Sequence, residues 1–323
     1  MTFEPARERK SPATCTEGQE APAHAYRAFG LSVASTVPLT PLSPALPSPP
    51  DVTIRWGNPP TTITEATLRS PAVEGRVGEL LIQPVGGPRL WIREGREIII
   101  DQATVHDAAR LESWITTSAL GAVLHQRDLF PLHASAIVAG DELVLFTGDR
   151  RAGKSTLMSA LVKRGYPCAA DDVVAIERAQ HDGSPPLAYP GLTRARLWRD
   201  SAGLLDIDLE GCAPIEPGAE KHFVTHPSAS EKKRPIRAIY ALTTVADGTL
   251  TFERLSPLQA VATAMANLYR PQFTRAQASG NAMLQIAAAL AQSASLTRVS
   301  RPLEAITVNA IVEQVVNDLS SPG

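Results

Sequence analysis

The residues most suggestive of chemistry form the short segment Gly148–Ser155, which reads GDRRAGKS and matches the pattern G-x-x-x-x-G-K-[ST]. In such a loop, backbone N–H groups point at phosphate groups, the lysine neutralises phosphate charge, and the final hydroxyl binds Mg²⁺. Lys154 and Ser155 occupy these two positions. The pattern therefore predicts a site for ATP and Mg²⁺. The predicted nucleotide-binding residues are Gly148, Asp149, Arg150, Arg151, Ala152, Gly153, Lys154, Ser155 and Thr156.

Two adjacent carboxylates, Asp171 and Asp172, follow about one helix after Lys154 in the sequence CAADDVVAI. One of them could support Mg²⁺ together with Ser155, and the other could accept a proton from a hydroxyl substrate. Neighbouring residues on a strand point to opposite faces, so we expect the two carboxylates to do different work. The order of the two roles stays open from the residues alone.

A histidine, His133, lies in PLHASAIV, on the predicted strand that precedes the loop hairpin. Its position would allow it to hydrogen-bond one of the two carboxylates and to orient it. We therefore include His133 among the candidate catalytic residues.

The elements around these residues fit the predicted site. An apolar run, Leu143–Thr147, predicts a buried strand that leads into the loop, and Thr156–Arg164 predicts the helix that follows it. A strand over Leu132–Val138 and a turn over 139–142 precede them, and a strand over Ala169–Ile176 carries the carboxylates. Further strands are predicted at 187–189, 236–243 and 250–255, and helices at 257–268, 273–292 and 303–319.

The whole chain predicts an α/β protein with a mixed sheet, preceded by a small β-rich module. We divide its 323 residues into a disordered leader (1–25), the β-rich module (26–105), a connecting helix (106–130) and the domain with the phosphate loop (131–323). The connecting helix rests on apolar spacing within Ala108–Gln126.

Composition narrows the function classes. The net charge is −2, so the chain has no strong positive field that would attract nucleic acid or an anionic membrane. A dedicated nucleic-acid-binding function and binding to an anionic membrane surface are therefore disfavoured. Three scattered cysteines suit a reducing compartment, and neither a signal peptide nor a membrane span is evident. We expect a cytoplasmic protein, and the sequence is compatible with a homo-oligomer.

The segment from Leu132 to Ile176 resembles the core of the HPr kinase/phosphorylase family. That family combines a histidine on one strand, a GKS/T loop on the next, a helix ending in Arg-Gly, and a strand bearing Ala-Asp-Asp. The counterparts here are His133, Gly153-Lys154-Ser155, Arg164-Gly165 and Ala170-Asp171-Asp172. Segments at 26–31, 51–55 and 124–135 are similar to HPr-kinase-related proteins of peptide-modification clusters, lasso peptide kinases among them.

This resemblance implies an HPr kinase/PEP carboxykinase type of fold and transfer of a phosphoryl group to a serine hydroxyl of a peptide or small protein. It implies Asp172 as the proton acceptor, Asp171 as the residue that supports Mg²⁺, and a role for Lys221 on the substrate or transferred phosphate. Arg150-Arg151 replace the usual Ser-Gly of the family, and the later family signature for HPr binding and phosphorolysis is not found. The resemblance therefore favours neither HPr as acceptor nor the reverse reaction.

Other functions remain compatible with the same residues. A kinase for a small metabolite such as free serine would use the same core, and a nucleotide-binding regulatory protein would bind ATP without transferring phosphate. An ABC-type ATPase is disfavoured because the chain lacks an SGG-type signature after the loop.

Overall fold

The computed structural model describes residues 22–179, 181, 183–215, 218–227, 231–246, 248–302 and 307–320. Most of the predicted leader, residues 1–21, lies outside the described residues, and the first strand begins at His24.

The first nine strands form one sheet in the order β3-β1-β2-β4-β9-β8-β7-β6-β5. Their bounds are β1 His24–Ala28, β2 Leu31–Ser35, β3 Ser43–Pro44, β4 Val52–Gly57, β5 Leu68–Arg69, β6 Val73–Arg76, β7 Glu79–Ile82, β8 Leu90–Arg93 and β9 Glu97–Asp101. In β2 and β8, buried and half-buried residues alternate, as in a sheet with one face on a core. The predicted hairpin turn at 94–96 joins β8 to β9.

A helical segment covers the buried face of this sheet. It consists of α1 (Ala108–Trp114), a π turn (Ile115–Ala119) and α2 (Leu120–Gln126), so the predicted helix is confirmed, with a π turn inside it. The Asp107 carboxylate caps its start by accepting hydrogen bonds from two backbone N–H groups. The apolar stripe of the segment shares one core with the sheet.

A second sheet has the order β10-β14-β15-β18-β12-β11-β13, with β20 beside β18 and β19 beside β20. Its strands are β10 Phe130–Leu132, β11 Ala134–Ala139, β12 Glu142–Gly148, β13 Cys168–Ala170, β14 Val174–Glu177, β15 Leu187–Tyr189, β18 Arg234–Val245, β19 Thr251–Arg254 and β20 Ser295–Pro302. β12 pairs parallel with β18 and antiparallel with β11, which makes the sheet mixed. A separate antiparallel pair is formed by β16 (Arg194–Trp198) and β17 (Lys221–Thr225).

Helices cover both faces of the second sheet. α3 (Lys154–Lys163) and α8 (Val308–Ser320) lie on one face, and α5 (Pro257–Ala266) and α7 (Gly280–Ser293) lie on the other. Of the remaining helices, α4 (Arg199–Leu204) packs on β16, and α6 (Pro271–Gln277) packs against the first sheet. Along β12, Leu143 and Leu145 pack in the core beneath α5 and α7, whereas Val144 and Phe146 pack in the core beneath α3 and α8. This alternation explains why the whole run is apolar. Within the described residues, no helix has the length and apolar content that a bilayer span requires.

The structure corrects several predicted elements. The predicted strand Leu132–Val138 is interrupted at His133, and the predicted strand Ala169–Ile176 is interrupted between Ala170 and Val174. The second break arises because Asp172 has a φ of 81°, which turns the chain from β13 towards β14. The predicted helix 273–292 is two helices, since Ala278 has a φ of 54°. The last helix begins at Val308, while residues 303–306 of its predicted range lie outside the described residues.

Candidate active site

The loop Gly148–Ser155 lies between the end of β12 and the first turn of α3. Gly148 has a φ of 121°, and a Cβ atom there would lie 2.0 Å from the backbone oxygen of Leu242 on the neighbouring strand. Gly153, with a φ of 99°, directly precedes α3. Both glycines therefore occupy backbone positions that other residues rarely adopt, and they set the path of the loop.

Lys154 is buried beneath this loop. Its Nζ donates hydrogen bonds to the backbone oxygens of Gly148, at 2.8 Å, and Asp149, at 3.0 Å. Burial lowers the pKa of Lys154, and the charges of the nearby carboxylates oppose that effect. The loop thus encloses a cation at the point where phosphate oxygens are expected.

Asp171 accepts hydrogen bonds from two serine hydroxyls. Ser135 Oγ lies 2.5 Å from Asp171 Oδ1, and Ser155 Oγ lies 2.9 Å from the same oxygen. Burial raises the pKa of Asp171, and the hydrogen bonds from the two serines act in the opposite direction. The carboxylate that follows β13 is therefore joined directly to the last residue of the loop.

Asp172 has different partners. His133 Nδ1 lies 2.8 Å from its backbone oxygen and 3.4 Å from its Oδ1, and Arg196 donates to its Oδ2 at 2.7 Å. Burial lowers the pKa of His133, and the Asp172 carboxylate raises it again in part. The two carboxylates do not alternate along a strand as predicted, because they lie in the break between β13 and β14. Their side-chain partners nevertheless differ, and Arg196 reaches Asp171 only through its backbone N–H.

A cleft of about 1300 Å³ opens over these groups. Lys221, on β17, lies in its wall with Nζ 5.6 Å from the Trp198 ring, and the Arg151 guanidinium lies 5.3 Å from the same ring. Burial, followed by the charge of Arg196, lowers the pKa of Lys221. Other parts of the wall come from the connecting helical segment and from the residues just before α6.

Every residue predicted for the site lines this cleft. They are His133, Gly148, Asp149, Arg150, Arg151, Ala152, Gly153, Lys154, Ser155, Thr156, Asp171, Asp172 and Lys221. The structure brings them together from β12, α3, β17 and the breaks in two predicted strands.

Sequence reasoning missed several residues of the site. Arg196 contacts both carboxylates, Asn267 Oδ1 accepts from Gly148 N at 3.0 Å, and Arg301 Nε donates to Ala152 O at 2.9 Å. These three come from β16, the end of α5 and β20, with no local motif to mark them. Ser135 could have been found, since it stands two residues after His133, next to the predicted hairpin.

The residues present are suited to Mg²⁺ held jointly with phosphate. The described part of the chain contains no cluster of three or more histidine, cysteine or acidic side chains that could hold a metal by itself. Ser155 and Asp171 instead bring a hydroxyl and a carboxylate together beside the loop. Mg²⁺ is commonly bound through one or two such groups, with substrate phosphates and waters completing its shell.

Comparison with known proteins does not assign a function to this chain. No family model matches the chain, and no curated protein matches it. Among solved structures, the chain is similar to the HPr(Ser) kinase/phosphatase from Coxiella burnetii, at 14% sequence identity and a TM-score of 0.27. That likeness covers 58% of this chain and 94% of the other. The case for a function therefore comes from the side chains of the cleft.

Proposed function

We propose that this protein is an ATP- and Mg²⁺-dependent kinase that transfers the γ-phosphoryl group to the hydroxyl of a serine in a peptide or small protein. We propose further that this reaction serves peptide modification. The observation that carries the proposal is the junction of Ser155 with Asp171, placed beside the Asp172–His133 contact in one cleft. A phosphate-binding loop and a second, separately held carboxylate are the two parts that phosphoryl transfer to a hydroxyl requires.

Lys154 and the backbone N–H groups of the loop would bind the β- and γ-phosphates. On binding, Lys154 Nζ would exchange its carbonyl partners Gly148 and Asp149 for phosphate oxygens. Ser155 and Asp171 would hold Mg²⁺, which supplies charge neutralisation on the phosphates. These groups favour transfer by position and charge alone, which is most of what phosphoryl transfer needs.

Asp172 would take the proton of the acceptor hydroxyl as its oxygen bonds to the γ-phosphorus and the bond to the β–γ bridging oxygen breaks, releasing ADP. Arg196 would keep the Asp172 carboxylate oriented, and His133 would fix the backbone at that residue. Lys221, in the wall of the cleft, would contact the phosphoryl group or the acceptor. The different side-chain partners of the two carboxylates support an enzyme over a protein that only binds nucleotide.

Labelling would test this proposal. The protein would be incubated with Mg²⁺ and ATP radiolabelled on the γ-phosphate, together with cell lysate fractions separated by size. We expect label in a peptide or small-protein fraction, stable to the conditions that cleave histidine phosphate. Label in the small-molecule fraction would instead favour a metabolite kinase, and label in no fraction despite ATP binding would favour a regulatory protein.

A further inference from the structure

Arg270 is a cation of the cleft wall that has no anionic partner among the described residues. Within the described residues, no carboxylate oxygen lies within the 4.0 Å of an ion pair, and its buried Nε has no hydrogen-bond acceptor. The guanidinium instead lies 5.8 Å from the Trp114 ring and 5.6 Å from the Tyr269 ring. A guanidinium beside aromatic rings retains its charge and its capacity to bind a carboxylate.

The backbone around Arg270 is held firmly. Tyr269 N donates to Pro131 O at 2.7 Å, and Tyr269 O is 2.7 Å from the ring Nε2 of His125 on α2. Arg270 itself has a φ of 50°, a left-handed conformation that is uncommon for a side chain of this size. Such a conformation persists only where the surroundings impose it, and it often occurs at ligand sites.

Arg270 also lies on the side of the cleft that holds Asp172. The His133 and Tyr269 ring centroids are 6.0 Å apart, and His133 contacts Asp172. Consistently, the Asp172 charge adds to burial in raising the pKa of Tyr269, whereas Arg270 opposes it. The π turn beside Trp114 brings Thr117 to the same wall. Hence this wall faces the expected position of the acceptor hydroxyl.

We propose that Arg270 binds a carboxylate next to the acceptor hydroxyl, so that the acceptor is an acidic peptide; this rests on the proposed kinase function. A carboxylate approaching Asp172 would be repelled unless a cation accompanied it, and Arg196 is already paired with Asp172. Arg270 supplies such a positive charge on this side of the cleft. The same chemistry, a hydroxyl with a carboxylate close by, also exists in free serine.

The test compares matched acceptors. Synthetic peptides with a serine flanked by aspartate, asparagine or lysine, together with free L-serine, would be incubated with the full chain, Mg²⁺ and radiolabelled ATP. We expect the aspartate peptide to exceed the asparagine peptide by about tenfold or more in kcat/KM, as one charge-assisted hydrogen bond allows. We expect the lysine peptide to be the poorest acceptor.

Variants then assign the preference to this residue. Arg270→Gln should remove the aspartate preference, Arg270→Lys should retain part of it, and Arg270→Glu should reverse it towards lysine. Arg275→Gln, at an exposed position of α6, is the matched control and should keep the preference. Thermal stabilisation by Mg-ATP should be unchanged in all of them, which also shows that each variant is folded.

Five results would overturn this inference, and a sixth would overturn the proposed function. Equal rates on the aspartate and asparagine peptides, or an aspartate preference that Arg270→Gln retains, would leave the kinase function standing without an acidic acceptor. A weaker stabilisation by Mg-ATP in Arg270→Gln would reassign the residue to the nucleotide. Label in free serine alone, or in none of the acceptors while Mg-ATP still stabilises the protein, would exclude an acidic peptide. Absence of Mg-ATP stabilisation in the wild-type protein would overturn the proposed function itself.

Discussion

At the scale of single residues, Lys154 is the group on which the proposed phosphate binding depends most. It is buried, and its ammonium has only backbone oxygens as hydrogen-bond partners within the described chain. Saturating Mg-ATP should therefore stabilise the wild-type protein by about 2.7 kcal/mol at a hundred times Kd. Lys154→Ala should abolish the corresponding rise in Tm. Lys232→Ala, at an exposed site, is the control, and equal shifts in both variants would place phosphate binding elsewhere.

Asp171 and Asp172 should respond differently to the same isosteric change. Asp172→Asn should lower transfer by about 10²- to 10⁴-fold, as loss of a general base does, while Mg-ATP binding stays near normal. Asp171→Asn disturbs the carboxylate joined to Ser155, so its remaining activity should require more Mg²⁺. Rates measured across a Mg²⁺ titration test both. If Mg-ATP binding were impaired in Asp172→Asn alone, Asp172 would be the residue that supports Mg²⁺ and Asp171 the proton acceptor.

At the scale of elements, the turn from β12 into the loop depends on Gly148. Gly148→Ala would force a Cβ against the Leu242 carbonyl oxygen, whereas Gly140→Ala, also at positive φ, meets no atom within 4 Å. Gly140→Ala should cost about 1 kcal/mol from backbone strain, and Gly148→Ala at least twice as much. Urea denaturation of both variants measures the difference. Equal losses of unfolding free energy in the two variants would mean that β12 and β18 can move apart to accommodate the added Cβ.

The contact between α2 and the segment before α6 should depend on pH through His125. Burial lowers the pKa of His125 to about 4, from an ordinary value of 6.5. Between pH 4 and pH 6.5, His125 binds a proton in the unfolded chain but not in the folded protein. Its contribution to the free energy of unfolding is therefore fully present above pH 6.5 and is lost as the pH falls towards 4. This contribution amounts to about 3 kcal/mol.

His125→Gln tests that contribution, since the glutamine amide can still donate to Tyr269 O but cannot titrate. The variant should show a shallower fall in the free energy of unfolding between pH 6.5 and 4 than the wild-type protein. His106→Gln, at an exposed position, is the control and should follow the wild-type curve. Parallel curves for His125→Gln and wild type would show that His125 is not the group responsible.

How much the sequence predicts depends on how local each feature is. The loop and its flanking strand and helix are contiguous, so one motif and two apolar patterns indicate them. The roles of Arg196 and Arg301 depend on β16 pairing with β17 and on β20 pairing with β18, across long stretches of chain. The strand β20 was missed because its charged residues, Arg298 and Arg301, break the alternating pattern. Asp172 was placed on a strand because a positive φ at an aspartate has no reliable sequence mark.

At the scale of the whole molecule, the connecting helical segment joins the first sheet to the cleft. It packs on the first sheet through its apolar stripe, and it contributes Ser113 and Thr117 to the cleft wall. The hairpin turn at 94–96 instead faces the end of α2, where Gly95 exchanges hydrogen bonds with Gln126 and Arg127. The first sheet thus supports, through this helical segment, the part of the cleft wall that contains Ser113 and Thr117.

Under the proposed function, the phosphoryl group that leaves ATP goes to an acceptor hydroxyl rather than to water. The most direct measurement is the ratio of acceptor phosphate formed to ATP consumed, in a single turnover with the labelled peptide fraction. We expect a ratio near one for the wild-type protein, and a large loss of transfer in Asp172→Asn at unchanged ATP affinity. If the γ-phosphate of all consumed ATP were recovered as inorganic phosphate, whichever lysate fraction was added, the protein would not be a kinase for these acceptors.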